Sequence, residues 1–147
     1  MHVIEWHAAF EIGHPSIDDG HRAIVAGLNA AIKALEGKSG DRLTAAVTEA
    51  VEAARQHFRQ EEALLAEAGF TDVERHVAYH RRLIAEAEEI PDICRSERFP
   101  KRLEPRLAEL VHFLMAEIRD NDKELRAYLT GQKTDDPDAD PPEQNGR

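Results

Sequence analysis

The sequence predicts an all-α protein, an antiparallel up-down four-helix bundle with an ordered N-terminal arm and a disordered acidic C-terminal tail. Two observations carry this expectation. Four stretches repeat apolar side chains every three or four positions, the period of one helix face, whereas no stretch of useful length alternates with the period of a strand. Between the stretches stand glycines, prolines and capping residues, so each helix has a place to stop and the next a place to start.

The first 15 residues mix Trp6, Phe10 and Ile12 with His, Glu, Gly and Pro, which reads as an arm whose aromatics pack on the bundle. The first stripe is Ile17, His21, Ile24, Leu28, Ala31 and Leu35; Gly37 and Gly40 bracket its end, and Asp41 is placed to cap the second helix. The second stripe is Leu43, Val47, Ala50, Ala54, His57, Glu61 and Leu64, closed by Gly69. Thr71 and Glu74 have capping-box spacing for the third helix, whose stripe is Val73, His76, His80, Leu83, Ala87 and Ile90 and which Pro91 is expected to end. The fourth is expected to start near Pro105 and run to about Leu129, with Leu103, Leu107, Leu110, Leu114, Glu117 and Asn121 in line. The bundle is thus assigned to 1–130. The tail, 131–147, carries acid and proline with almost nothing to bury, and is expected to be disordered.

The 147 residues suit one domain with a single core. A formal charge of −10 argues against nucleic acid or anionic lipid as partners, because both select basic surfaces. Cys94 is the sole cysteine, so no intrachain disulfide is expected and a reducing, cytoplasmic setting is the natural one. The N-terminus lacks a basic segment followed by an apolar one, and no apolar run approaches the roughly 20 residues of a spanning helix. No leader and no membrane partner are expected.

Every stripe is interrupted by a side chain able to bind a metal. Residues four apart share a helix face, so His57 and Glu61 can point at one ion, as can His76 and His80. Alone, either pair is more simply a surface accident. Their position on apolar stripes, with His21 on a third and Glu117 on a fourth, changes the balance, since buried charge is costly unless paired or metal-bound. The ligand count exceeds one tetrahedral ion, and imidazole with carboxylate suits iron, manganese or zinc.

The order Trp6, Phe10, Ile17-Asp18-Asp19-Gly20-His21, His57-Phe58-Arg59-Gln60-Glu61-Glu62, Gly69-Phe70, His76-x3-His80, then Asp122-Lys123-Glu124-Leu125 with Tyr128-Leu129, resembles bacterial hemerythrins. The resemblance spans Trp6 to about Leu129. It implies a four-helix bundle holding two Fe ions with a bridging oxo or hydroxo group, with dioxygen as the partner and peroxide or nitric oxide as alternatives. It further implies that His21 and His57 hold the iron with the open position, that His76 and His80 hold the other, and that Glu61 and Asp122 bridge. Where that family has a histidine five residues before the bridging aspartate, this chain has Glu117.

His112, with Glu117 in the aspartate's role, would reproduce the family's spacing. The stripe argues against it: at about 100° per residue His112 lies nearly opposite Leu110, Leu114 and Glu117, and Phe113, Leu114 and Ile118 supply around Glu117 the neighbours the family has around its histidine. Asp122 lies about 140° from Glu117 on an ideal helix, so both reach one site only if the helix is locally widened or the carboxylates reach from the flanks of the face. Asn121 is read as a supporting residue. His2, His7, His14 and His112 are read as exposed, and Ile24, Leu28, Phe58, Leu83 and Phe113 as the wall of the site.

The function read from this is a non-haem di-iron protein binding dioxygen for storage, delivery or sensing. The alternatives are a di-iron oxidase or peroxidase with a more carboxylate-rich site, and a metal-handling or signalling protein without turnover.

Overall fold

The four stripes become four helices in a computed structural model, which describes residues 1–96, 101–121 and 125–127. They are α1 (Pro15–Glu36), α2 (Gly40–Glu67), α3 (Val73–Ser96) and α4 (Leu103–Ala116), followed directly by a π-helical segment, Glu117–Asn121. No strand occurs among the described residues. Each helix packs on the next and α1 also packs on α4, closing an antiparallel up-down bundle. The sequence-predicted tail, with Asp122, lies outside the described residues. No described helix is long and apolar enough to cross a membrane.

The predicted stripes face the core with two adjustments, apart from Asn121, whose side chain lies outside the described residues. Along α2 the buried residue is Leu65 rather than Leu64. A strict 3.5-residue repeat drifts by about 20° per heptad from a 3.6-residue helix, and three heptads on from Leu43 the inward position has moved by one residue. On α3, Val73 and His76 are only half-buried, while His80, Leu83, Ala87 and Ile90 are buried.

Local chemistry also shifts several boundaries. Ser39, not Asp41, caps α2, its hydroxyl accepting from the Arg42 amide; Asp41 sits within the first turn, where its charge favours the helix dipole. The Asp72 carbonyl accepts from the His76 amide, so α3 starts one residue later than a box on Thr71 requires. Pro91 does not end α3, which continues to Ser96. Proline there removes one backbone donor, and its ring is buried. Helix α4 begins at Leu103, two residues before Pro105. Gly69 adopts a φ of +77°, the left-handed conformation that closes α2 and turns the chain into α3.

The arm is fastened to α1 by backbone contacts that its sequence alone does not announce. Asn29 accepts from the Ile4 amide at 2.7 Å and donates to the Ile4 carbonyl at 2.9 Å. The buried Asp18 carboxylate accepts the amides of Ile12 at 2.8 Å and Gly13 at 3.2 Å. Between these anchors, Phe10 and Ile12 are buried, and Trp6 meets the Phe10 ring edge-on at a centroid distance of 5.5 Å. The arm therefore does pack its aromatics on the bundle.

Helices α1 and α2 approach closely at Gly27. A Cβ built there would lie 2.8 Å from the Ala50 Cβ and 2.9 Å from its Cα, so backbone as well as side chain would have to give. Gly27→Ala gains up to about 1 kcal/mol of helix propensity but incurs overpacking of about 1–3 kcal/mol. A lowered melting temperature with unchanged helicity is the expected result in a thermal scan monitored by circular dichroism.

Candidate metal centre

At one level of the bundle interior, side chains from α1, α2, α3 and the π-helical segment converge. His21 comes from α1, His57 and Glu61 from α2, His76 and His80 from α3, and Glu117 from the first residue of the π-helical segment. They fall into two groups that share one residue: His21, His57 and Glu61; and Glu61, His76, His80 and Glu117. Within each group the candidate ligand atoms all lie within 4.8 Å of one another. All are buried except His76, which is half-buried.

Glu61 joins the groups through its two oxygens. Its Oε2 lies 3.0 Å from His57 Nε2, while its Oε1 contacts His76 Nε2 and lies 3.4 Å from His80 Nε2. The Glu117 Oε1 approaches His80 Nε2 at 2.8 Å and His76 Nε2 at 3.7 Å. A carboxylate aimed with one oxygen at each of two imidazole clusters is the arrangement by which a carboxylate spans two cations.

Two imidazoles are oriented from behind. His21 Nδ1–H donates to the Phe10 carbonyl at 3.1 Å, which leaves Nε2 as the nitrogen facing the group. Asp18 holds the arm that carries this carbonyl, so the carboxylate near the start of α1 helps to set the ring three residues on. His80 Nδ1–H donates to Glu62 Oε1 at 3.0 Å, turning its Nε2 toward Glu61 and Glu117. Outer hydrogen bonds of this kind fix the ring and raise its strength as a ligand. His57 sits where Gly20 leaves room: a Cβ on residue 20 would lie 2.5 Å from its Nδ1.

The electrostatics favour a cation. Burial alone would raise the pKa of Glu61, but hydrogen bonds from His57, His76 and His80 overcome it and hold the carboxyl well below its ordinary range. Burial opposes a charge on His80, yet contacts with Glu117 and Glu61 prevail and raise its pKa to about 10. At His57 burial wins over the pull of Glu61, and its pKa falls. Two buried carboxylates thus draw positive charge into the site even from protons. The donor set, imidazole nitrogen and carboxylate oxygen with no thiolate, fits a hard or borderline metal ion.

Six of the seven residues singled out in the sequence are brought together here; the seventh, Asp122, is not described. His112 is exposed and outside both groups, whereas Glu117 is buried and faces inward. His2 and His7 are exposed as expected, whereas His14 is half-buried at the residue preceding α1. The expected wall residues Ile24, Leu28, Phe58 and Leu83 are buried, and Phe113 is partly so. The roles of Gly20 and of the Phe10 carbonyl have no signature in one sequence, since each depends on a contact between segments far apart in the chain. Removing the Glu62 acceptor is expected to weaken metal retention about 10–100-fold. Competition with a chelator on Glu62→Ala measures this, with Glu62→Gln, which keeps an acceptor, recovering part of the loss.

Fold and site define a class, helical bundles with a cation site of histidine and carboxylate in the interior. The sequence profile of the hemerythrin HHE cation binding domain matches residues 13–129, and the chain belongs to that family. No curated protein matches it.

Proposed function

We propose that this protein is a non-haem di-iron protein that binds dioxygen, with an oxo or hydroxo bridge between the irons. His21 and His57 would hold one ion, His76, His80 and Glu117 the other, with Glu61 and Asp122 between them. The observation that carries this reading is the division of the Glu61 oxygens between two buried imidazole groups. When bound, a pair of irons supplies the electrons that dioxygen takes up.

The chain's residues then decide how long the reduced state lasts. Ile24, Leu28, Phe58 and Leu83 keep the interior apolar around the imidazoles. Glu62 does not enter the space between the two groups but contacts the outer nitrogen of His80. Among the described residues that leaves Glu61 and Glu117 as the acids grouped with the imidazoles, which favours binding over turnover.

Glu117 works in the other direction. Where the family has a neutral imidazole, this chain places a carboxylate 2.8 Å from His80 Nε2, and anionic oxygen donors favour the higher oxidation state of iron. This observation supports a second reading, a di-iron oxidase or peroxidase. The π-helical segment favours the ligand assignment on this helix. Its i→i+5 hydrogen bonding widens the turn just where Glu117 and the residue five positions on must reach one face.

The test is to load the protein with iron, reduce it without air, expose it to oxygen and then degas it. Uptake that reverses on degassing supports the binding reading. Continuous oxygen consumption with added reductant supports the oxidase, and peroxide consumption the peroxidase. Glu117→His is expected to lengthen the life of the reduced protein in air severalfold. An unchanged lifetime would show that Glu117 does not act at the metal.

A further inference from the structure

Behind His80, on the outer side of the bundle, α2 and α3 border an open cleft of about 400 Å³. Its walls follow from helix spacing. Arg55, Arg59 and Glu62 recur on one face of α2, and Val77, Arg81, Ile84 and Glu88 on the facing side of α3. Three guanidinium groups thus surround one concavity in a chain whose formal charge is −10.

Two carboxylates line the same cleft, and both are engaged. Glu88 pairs with Arg55, and Glu62 accepts from His80 Nδ1. Arg59 and Arg81 form no ion pair among the described residues. The apolar part of the lining comes from Phe58, buried with its ring stacked on that of His80 at 3.8 Å, from Val77, and from Ile84, which packs against the core. Cationic groups beside apolar side chains are a pattern that serves small-molecule pockets, where a few polar groups set orientation over hydrophobic walls.

We infer that this cleft binds a small organic anion, its carboxylate or phosphate group held by Arg59 and Arg81 and its apolar body resting on Phe58, Val77 and Ile84. Guanidinium groups suit this role because their planar forks match both oxyanions in two-point contact. The occupant would lie against His80, on the side away from Glu61 and Glu117. The assignment does not depend on which metal the centre holds.

The probes are benzoate and phenyl phosphate, titrated by calorimetry into the intact chain at low salt, with inorganic phosphate alongside. Saturable binding of at least one aromatic probe is expected, and which of the two binds more tightly distinguishes a carboxylate from a phosphate ligand. The Arg59→Gln/Arg81→Gln double variant should weaken binding at least tenfold, while Arg42→Gln, exposed on α2 outside the cleft, should leave it unchanged. Absence of saturation with both aromatic probes would overturn the proposal. So would equal weakening by Arg42→Gln, and inorganic phosphate binding as tightly as phenyl phosphate would remove the organic body from it.

Discussion

Glu61→Ala is expected to reduce the metal content of the purified protein to background, the largest effect of any single substitution in the chain. Its two oxygens serve both candidate groups, so neither keeps a complete set of donors without it. The metal-free fold should suffer as well. Glu61 is fully buried against His57, His76 and His80, and removing one member of such a set leaves polar partners without compensation, at about 3–5 kcal/mol. The variant should therefore melt at lower temperature in chelator than the parent chain does. Glu61→Gln separates the two consequences: the amide retains volume and one acceptor, so it should recover much of the stability while metal content stays low. Full metal content in Glu61→Ala would remove the shared carboxylate from the account.

Gly20→Ala is expected to empty only half of the centre. The new methyl would lie 2.5 Å from His57 Nδ1 and 3.2 Å from its Cβ, so the whole ring must move rather than swing at its tip. It has little space to do so. His57 is buried, with the His21 ring at a centroid distance of 4.5 Å and that of Phe58 at 5.7 Å. Alanine is also the better helix former, by about 1 kcal/mol, so α1 itself should be unharmed. Metal analysis should give about half the parent content, with helicity by circular dichroism retained. Loss of all metal, or of none, would show that the His21 and His57 group does not act as a separate half.

Much of this centre was legible in the chain because buried helix faces have a period, and a histidine or glutamate on that period has nowhere to go but inward. His21, His57, Glu61, His80 and Glu117 were placed by that argument, and their burial follows it. The same reasoning ranked Glu117 above His112, and the exposure of His112 agrees. It also offered a widened turn as one of two ways for Glu117 and Asp122 to reach one site, and a π-helical segment stands at Glu117–Asn121.

What the sequence did not reveal comes from contacts between distant segments. The grip of the Phe10 carbonyl on His21, the fit of His57 against Gly20 and the Arg59–Arg81 cleft each depend on which helices become neighbours and in what register. Boundaries were lost to local competition. Ser39 took the cap from Asp41, and α3 ran through Pro91, whose ring is buried while a single backbone donor is lost.

The most direct test of the central claim is crystallography of the iron-loaded protein with anomalous data at the iron edge. The account predicts two iron peaks per chain with the Glu61 carboxylate between them, one beside His21 and His57 and the other beside His76, His80 and Glu117. A single peak, or iron bound away from Glu61, would contradict it.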